Sequence, residues 1–165
     1  EAKLAARQDK VPNWYLDVSL LNQYWGSDRV YHHTAPVNMN FGMREALRLL
    51  AEEGLDMAWA RHRSNAEALW SGLQSMGLEM HVPEELRLPT LTTVRIPEDV
   101  DGKAFTQHLL NNHGIEVGGG LGVLAGKIWR IGLMGYNSNP ENVSRLLNLF
   151  ETELPQFRQN VAVAA

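Results

Sequence analysis

The apolar pattern of this chain first changes period near residue 78, and that change narrows the folds open to it. Before it, apolar residues recur every three or four positions, as on one face of a helix. After it, they begin to alternate with polar residues, as in half-buried strands. The longest helical stretch is 55–76, where Ala58, Trp59, His62, Ala66, Leu69, Leu73 and Met76 share a side and Gly77 supplies the stop. Trp59, Trp70 and His62 read most simply as packing residues of that helix. Leu78, Met80 and Val82 then alternate up to Pro83, and the β-branched run 90–96 closes at Pro97. Asp101 can cap a helix reaching about Asn112, with Gly114 beyond its end. A short strand at 115–117 leads into the glycines of 118–122, and 128–134 forms the next strand. Asn139-Pro140-Glu141 opens a last helix with a cap, a first-turn proline and an acid at the positive end of the dipole. That helix is expected to bury Val143, Leu146, Leu147 and Phe150 and to stop near Pro155. The order strand, strand, helix, strand, strand, helix predicts an α+β unit with helices on one face of a small, mainly antiparallel sheet.

Residues 1–53 lack a sheet. They read as the end of a helix (1–8), an aromatic-rich helix (14–25), a polar loop (31–36) and a helix (41–53) stopped by Gly54. The expected division is 1–53, belonging to a larger body, and 54–165, a small domain entered through the long helix. The first residues hold no apolar signal core and no initiator methionine, so the chain is expected to begin inside a longer one. The terminal Ala162-Val163-Ala164-Ala165 is not a peroxisomal address of the Ser-Lys-Leu kind.

Composition removes several classes of function. A net charge of −4 leaves no basic footprint for nucleic acid. No lysine- and arginine-rich helix suits an anionic membrane surface, and no apolar run nears the roughly 20 residues that span a bilayer. The chain has no cysteine, which excludes disulfides and thiolate metal sites and fits a cytoplasmic setting.

Arg130 is the most informative residue. In the 128–134 strand, Trp129, Ile131 and Leu133 point one way, while Ile128, Arg130, Gly132 and Met134 point the other. A guanidinium beside a residue with no side chain faces open space, and its fork suits a planar carboxylate. The plainer reading is an arginine on the solvent side of an edge strand. Tyr31-His32-His33-Thr34 places two hydroxyls three residues apart, able to donate to a phosphate; the plainer reading is a loop with local capping bonds. No carboxylate or third histidine lies at ligand spacing from His32 and His33. His108 and His113, five apart, are expected to leave a helix on different faces, so no metal site is predicted. The 118–122 glycines lack a Lys-Ser/Thr ending and lead to a strand, which favours a hairpin or flap over a phosphate loop.

In this order the segments resemble the class V branch of the fold-type I aminotransferases, within it the alanine–glyoxylate and serine–glyoxylate group. The resemblance runs through Trp14-Tyr15-Leu16-Asp17, the 31–36 loop, Arg44-Glu45-Ala46-Leu47, Arg87-Leu88-Pro89-Thr90, Thr92-Thr93-Val94, 118–122 and 126–135. Tyr-His-His-Thr and Arg-Ile-Gly-Leu are its specific parts. It implies a homodimer dependent on pyridoxal 5′-phosphate, whose subunits each carry a large α/β domain and a small C-terminal domain. It also implies that Tyr31 and Thr34 contact the neighbouring subunit's cofactor phosphate, and that Arg130 holds the α-carboxylate of an amino or keto acid. The reaction implied moves an amino group from alanine, or serine, to glyoxylate; from alanine it gives glycine and pyruvate. The lysine that carries the cofactor, and the carboxylate at its ring nitrogen, lie upstream in the family. None of Lys3, Lys10, Lys103 and Lys127 matches that lysine, so this chain by itself is expected not to transaminate. The other reading is a stand-alone binding or interaction module that keeps the small-domain fold without chemistry.

Overall fold

The computed structural model describes residues 2–158. The chain divides into two compact units, Glu1–Leu49 and Leu50–Ala165. The first holds a short helix α1 (Ala2–Ala5), a 3-10 turn (Trp14–Leu16), α2 (Val18–Trp25) and most of α3 (Val37–Glu53). The single helix expected over 14–25 is broken at Asp17. Asn13 Oδ1 accepts from the Tyr15 amide and Asp17 Oδ1 from the Ser19 amide, each at 3.0 Å. Short acceptors of this kind offer the backbone an alternative to helical bonding, so each starts its own turn. Helix α3 begins earlier than the expected residue 41, because Pro36 presets the backbone and its carbonyl accepts from the Asn40 amide at 3.0 Å. No residue from 2 to 53 is buried.

The second unit contains α4 (Leu55–Ser75), β1 (Leu91–Arg95), α5 (Gly102–His113), β2 (Gly118–Gly119), β3 (Ile128–Gly132) and α6 (Pro140–Glu153). The strands form one antiparallel sheet in the order β1-β3-β2, with Thr92 opposite Ile131 and Val94 opposite Trp129. These four residues are buried and make the inner face. Ala66, Leu69 and Leu73 of α4, Phe105 and Leu109 of α5, and Val143 and Phe150 of α6 join them in one core. Phe105 stands edge-on to Phe150 at 5.0 Å between ring centres and lies 5.6 Å from Trp129, geometry in which ring edges meet ring faces. The helices are capped as expected: Asp101 accepts from the Ala104 amide, Asn139 from the Asn142 amide, and Gly114 closes α5 in the left-handed conformation (φ 64°).

Four more expectations need correcting. Leu78–Met80–Val82 is no full strand; it meets β1 through one bridge, Met80 to Val94, before Pro83 ends the pairing. Residues 115–117 are not paired, and the glycines 118 and 119 make the strand instead. Leu149, rather than Leu147, is among the fully buried residues of α6. Trp59 is exposed at 64 %, whereas Trp70 is in the core. The terminal Ala162-Val163-Ala164-Ala165 lies outside the described residues.

Thr92 is one of few polar groups in this core, and its hydroxyl accepts from Trp70 Nε1 at 2.8 Å. Thr92→Val keeps the volume but strands a buried indole N–H, so it should cost about 1–3 kcal/mol. The same change at half-buried Thr93 should cost less. Denaturant unfolding of both variants checks this; equal effects would contradict it.

Candidate functional site

Strand β3 positions Arg130 by alternation. Trp129 and Ile131 are drawn into the core, which turns Arg130 to the opposite face. β3 is the central strand of the sheet, so Arg130 is not an edge-strand residue. Gly118 pairs with Arg130 and Gly119 with Trp129. The Arg130 Nε donates to the Gly119 carbonyl at 2.6 Å. Among the described residues no carboxylate pairs with its guanidinium, and Nη1 and Nη2 have no protein acceptor. One edge of the fork is anchored while the two end nitrogens stay available for a bidentate anion.

The glycine run works as a hairpin. A Cβ at Gly120 would lie 2.0 Å from the Leu124 carbonyl oxygen and 2.9 Å from Ile128 Cγ1. Only a residue without a side chain allows this approach. The hairpin also covers Ile128, which alternation alone would have exposed.

Two α4 side chains hold the turn that follows β3, and sequence reading missed this role for both. Arg61 donates to the Gly135 carbonyl at 2.9 Å and the Ser138 carbonyl at 2.6 Å, and grips Glu53 with two further bonds. His62 Nδ1 donates to the Ala58 carbonyl at 2.6 Å, so its Nε2 is the acceptor for the Gly135 amide at 3.0 Å. His62 is therefore a satisfied packing residue. Their partners in the turn lie more than 70 positions away, and no local pattern announces them.

Tyr31 and Thr34 come together in the first unit, where their hydroxyl oxygens are 2.9 Å apart on an exposed loop. Tyr31 stands edge-on to Tyr24 at 6.0 Å, His33 lies between Tyr15 and Tyr24, and His32 packs on Trp14 at 4.2 Å. His32 Nε2 donates to the Trp14 carbonyl at 3.0 Å, which leaves its Nδ1 to accept from His33 Nδ1 at 2.8 Å. The imidazoles thus brace the loop, and the two hydroxyls, hydrogen-bonded to each other on its exposed side, are a pair of donors of the kind an anion such as a phosphate takes. Arg130 belongs to the other unit.

His108 and His113 do not diverge as expected. Both rings reach the Glu153 carboxylate at the end of α6, and donor atoms of the three residues lie within 4.8 Å of one another. The third member is 40 positions from His113, beyond the reach of spacing rules. The hydrogen bond from His108 is the main cause holding the Glu153 carboxyl below its ordinary range.

The solved structures of two enzymes superpose on this chain. An alanine–glyoxylate aminotransferase from Nostoc sp. has a TM-score of 0.85 and 61 % identity, over 91 % of this chain and 40 % of the other. The ureidoglycine–glyoxylate aminotransferase of Bacillus subtilis has a TM-score of 0.87 and 39 % identity, over 97 % and 41 %. The fold is that of a portion of a fold-type I aminotransferase. The alanine–glyoxylate aminotransferase of Oryctolagus cuniculus is 43 % identical over 164 residues, 97 % of this chain and 42 % of that relative. The family model for class-V aminotransferases matches residues 15–146, and the chain belongs to that family. It spans about two fifths of the length of these relatives. Among the described residues no helix is long and apolar enough to cross a membrane.

The clamp on the turn after β3 has a pH signature. Arg61 holds the Glu53 carboxyl below its ordinary value through their hydrogen bond. A carboxyl depressed by folding adds stability above its unfolded pKa and loses it as pH falls through the folded one. Glu53→Gln should therefore lower stability at neutral pH, with the deficit fading in acid. Melting curves at a series of pH values measure this, and a deficit independent of pH would contradict it.

Proposed function

We infer that this chain contributes the substrate-carboxylate and cofactor-phosphate contacts of a pyridoxal 5′-phosphate-dependent transaminase that uses glyoxylate as amino acceptor. The observation that carries this reading is the Arg130 guanidinium, anchored through Nε to Gly119 and lacking any acidic partner among the described residues. Its two end nitrogens would hold the α-carboxylate of an amino or keto acid, and the fork would fix the plane of that carboxylate. The named relatives support the acceptor, since each has glyoxylate in its name while the donor differs. Alanine, or serine, is the donor we assign, with glycine and pyruvate the products from alanine and glyoxylate.

The paired hydroxyls of Tyr31 and Thr34 suit a phosphate dianion, and in this reading they take the cofactor phosphate of the neighbouring subunit in a homodimer. When bound, the cofactor supplies an electron sink at its ring. The covalent lysine belongs to another part of the enzyme, because none of the four lysines here stands at the family's position. Residues 1–53 would then belong to the large cofactor-binding domain and 54–165 to the small domain. The exposure of Trp14 (53 %), Trp25 (73 %), Met39 (74 %) and Phe41 (62 %) fits a surface covered by that domain and by a second subunit. A cysteine-free chain suits a cytoplasmic enzyme of this kind.

Arg130→Lys in the complete enzyme tests the reading. Lysine keeps the charge but loses the two-pronged geometry and misplaces the reacting carbon. We expect kcat/KM for amino and keto acids to fall roughly thirty- to a thousand-fold, with cofactor retention near normal. Thr34→Ala should do the reverse, weakening cofactor binding while leaving substrate preference in place. Steady-state kinetics with a cofactor titration separates the two; a near-normal kcat/KM in Arg130→Lys removes Arg130 from the site.

A further inference from the structure

We propose that His108, His113 and Glu153 form a binding site for a divalent transition ion of the zinc type, which ties the end of α5 to the end of α6. The residues offer two imidazoles and one carboxylate, a donor set suited to zinc, cobalt or nickel rather than calcium or magnesium. His108 Nε2 is hydrogen-bonded to Glu153 Oε2, and His113 Nε2 lies 2.9 Å from Oε1 and 3.0 Å from Oε2. All three donor groups lie within 4.8 Å of one another. Around a tetrahedral ion with bonds of about 2.0–2.2 Å, ligand atoms stand about 3.4 Å apart, so small movements admit the ion. The three side chains are 25 %, 26 % and 18 % exposed, which gives the ion an entry path and leaves a position for water.

The surroundings already orient the ligands. Asn112 Nδ2 is 2.7 Å from His108 Nδ1. Without metal, the amide donates there and His108 Nε2–H donates to Glu153. With metal on Nε2 the proton moves to Nδ1, and a turn of the Asn112 amide presents its oxygen as acceptor. Phe157 packs against the His108 ring at 5.1 Å, and Arg145 Nη2 donates to the His113 carbonyl at 2.7 Å. The latter fixes the last turn of α5, where His113 would otherwise fray. Binding replaces a shared proton with an ion joining two helices, so metal affinity adds to folding stability.

The test is calorimetric titration of zinc into the untagged, chelator-treated full chain at neutral pH. The variants are Glu153→Gln, His113→Asn and a His32→Asn/His33→Asn double substitution, each checked by circular dichroism. One zinc per chain should bind and raise Tm. Losing one ligand should weaken binding at least about a hundredfold, since outer partners alone are worth 10–100-fold. The double variant, which removes the other imidazole pair, should bind as before. The zinc-edge absorption spectrum should show two imidazoles and a carboxylate oxygen. Absence of saturable binding, unchanged affinity in Glu153→Gln and His113→Asn, or loss confined to the double variant would overturn the proposal.

Discussion

The burial of Trp129 and Ile131 in the central strand is the constraint on which the second unit depends. Each has less than a twentieth of its surface exposed, and between them the strand must turn Arg130 to the opposite face. Slipping the register by one residue would bury a guanidinium and expose an indole, so packing and site geometry are specified together. The same strand pairs on one side with β1, which adds Thr92 and Val94 to the core, and on the other with two glycines. The glycines keep the space beside Arg130 free of side chains, and Gly119 supplies the carbonyl that steadies Nε.

Around this strand the connections are stapled by charged and aromatic side chains rather than by more sheet. Arg61 and His62 take the backbone of 135–138 from one face of α4, so the turn leaving β3 has its carbonyls and an amide satisfied. A turn satisfied in this way is held beside the strand that carries Arg130. In the first unit the loop bearing Tyr31 and Thr34 is braced by Trp14, Tyr15 and Tyr24 through ring contacts and the imidazoles of His32 and His33. Arg130 and the Tyr31–Thr34 pair thus each lie next to backbone held by other side chains.

Local chemistry made much of this legible in the sequence. Asp101, Gly114 and Asn139 announce helix ends through caps that depend only on nearby residues. The alternation of 128–134 marks Arg130 because a strand has two faces whatever it packs on. What stayed hidden is non-local. Nothing near Arg130 says that its strand is central, since that depends on β1 pairing from nearly 40 positions away. Trp59 sits on the same helical spacing as core residues yet is exposed, because periodicity shows which residues share a face and not which part of that face is covered. His108 and His113 look divergent until Glu153 arrives between them from α6. Asn13 and Asp17 are cap residues by type, but the aromatic periodicity of 14–25 continues across Asp17 and masks the break.

The central claim is that Arg130 recognises a carboxylate by its two end nitrogens. It is tested most directly by the affinity of the complete enzyme for a small carboxylate and for its neutral amide, with Arg130 present and with Arg130→Gln. A residue that grips both carboxylate oxygens should give a clear preference for the acid, of at least about tenfold for a charge-assisted pair. In Arg130→Gln that preference should vanish, while binding of the amide changes little. A preference for the acid that survives the substitution undiminished would show that the carboxylate is held elsewhere.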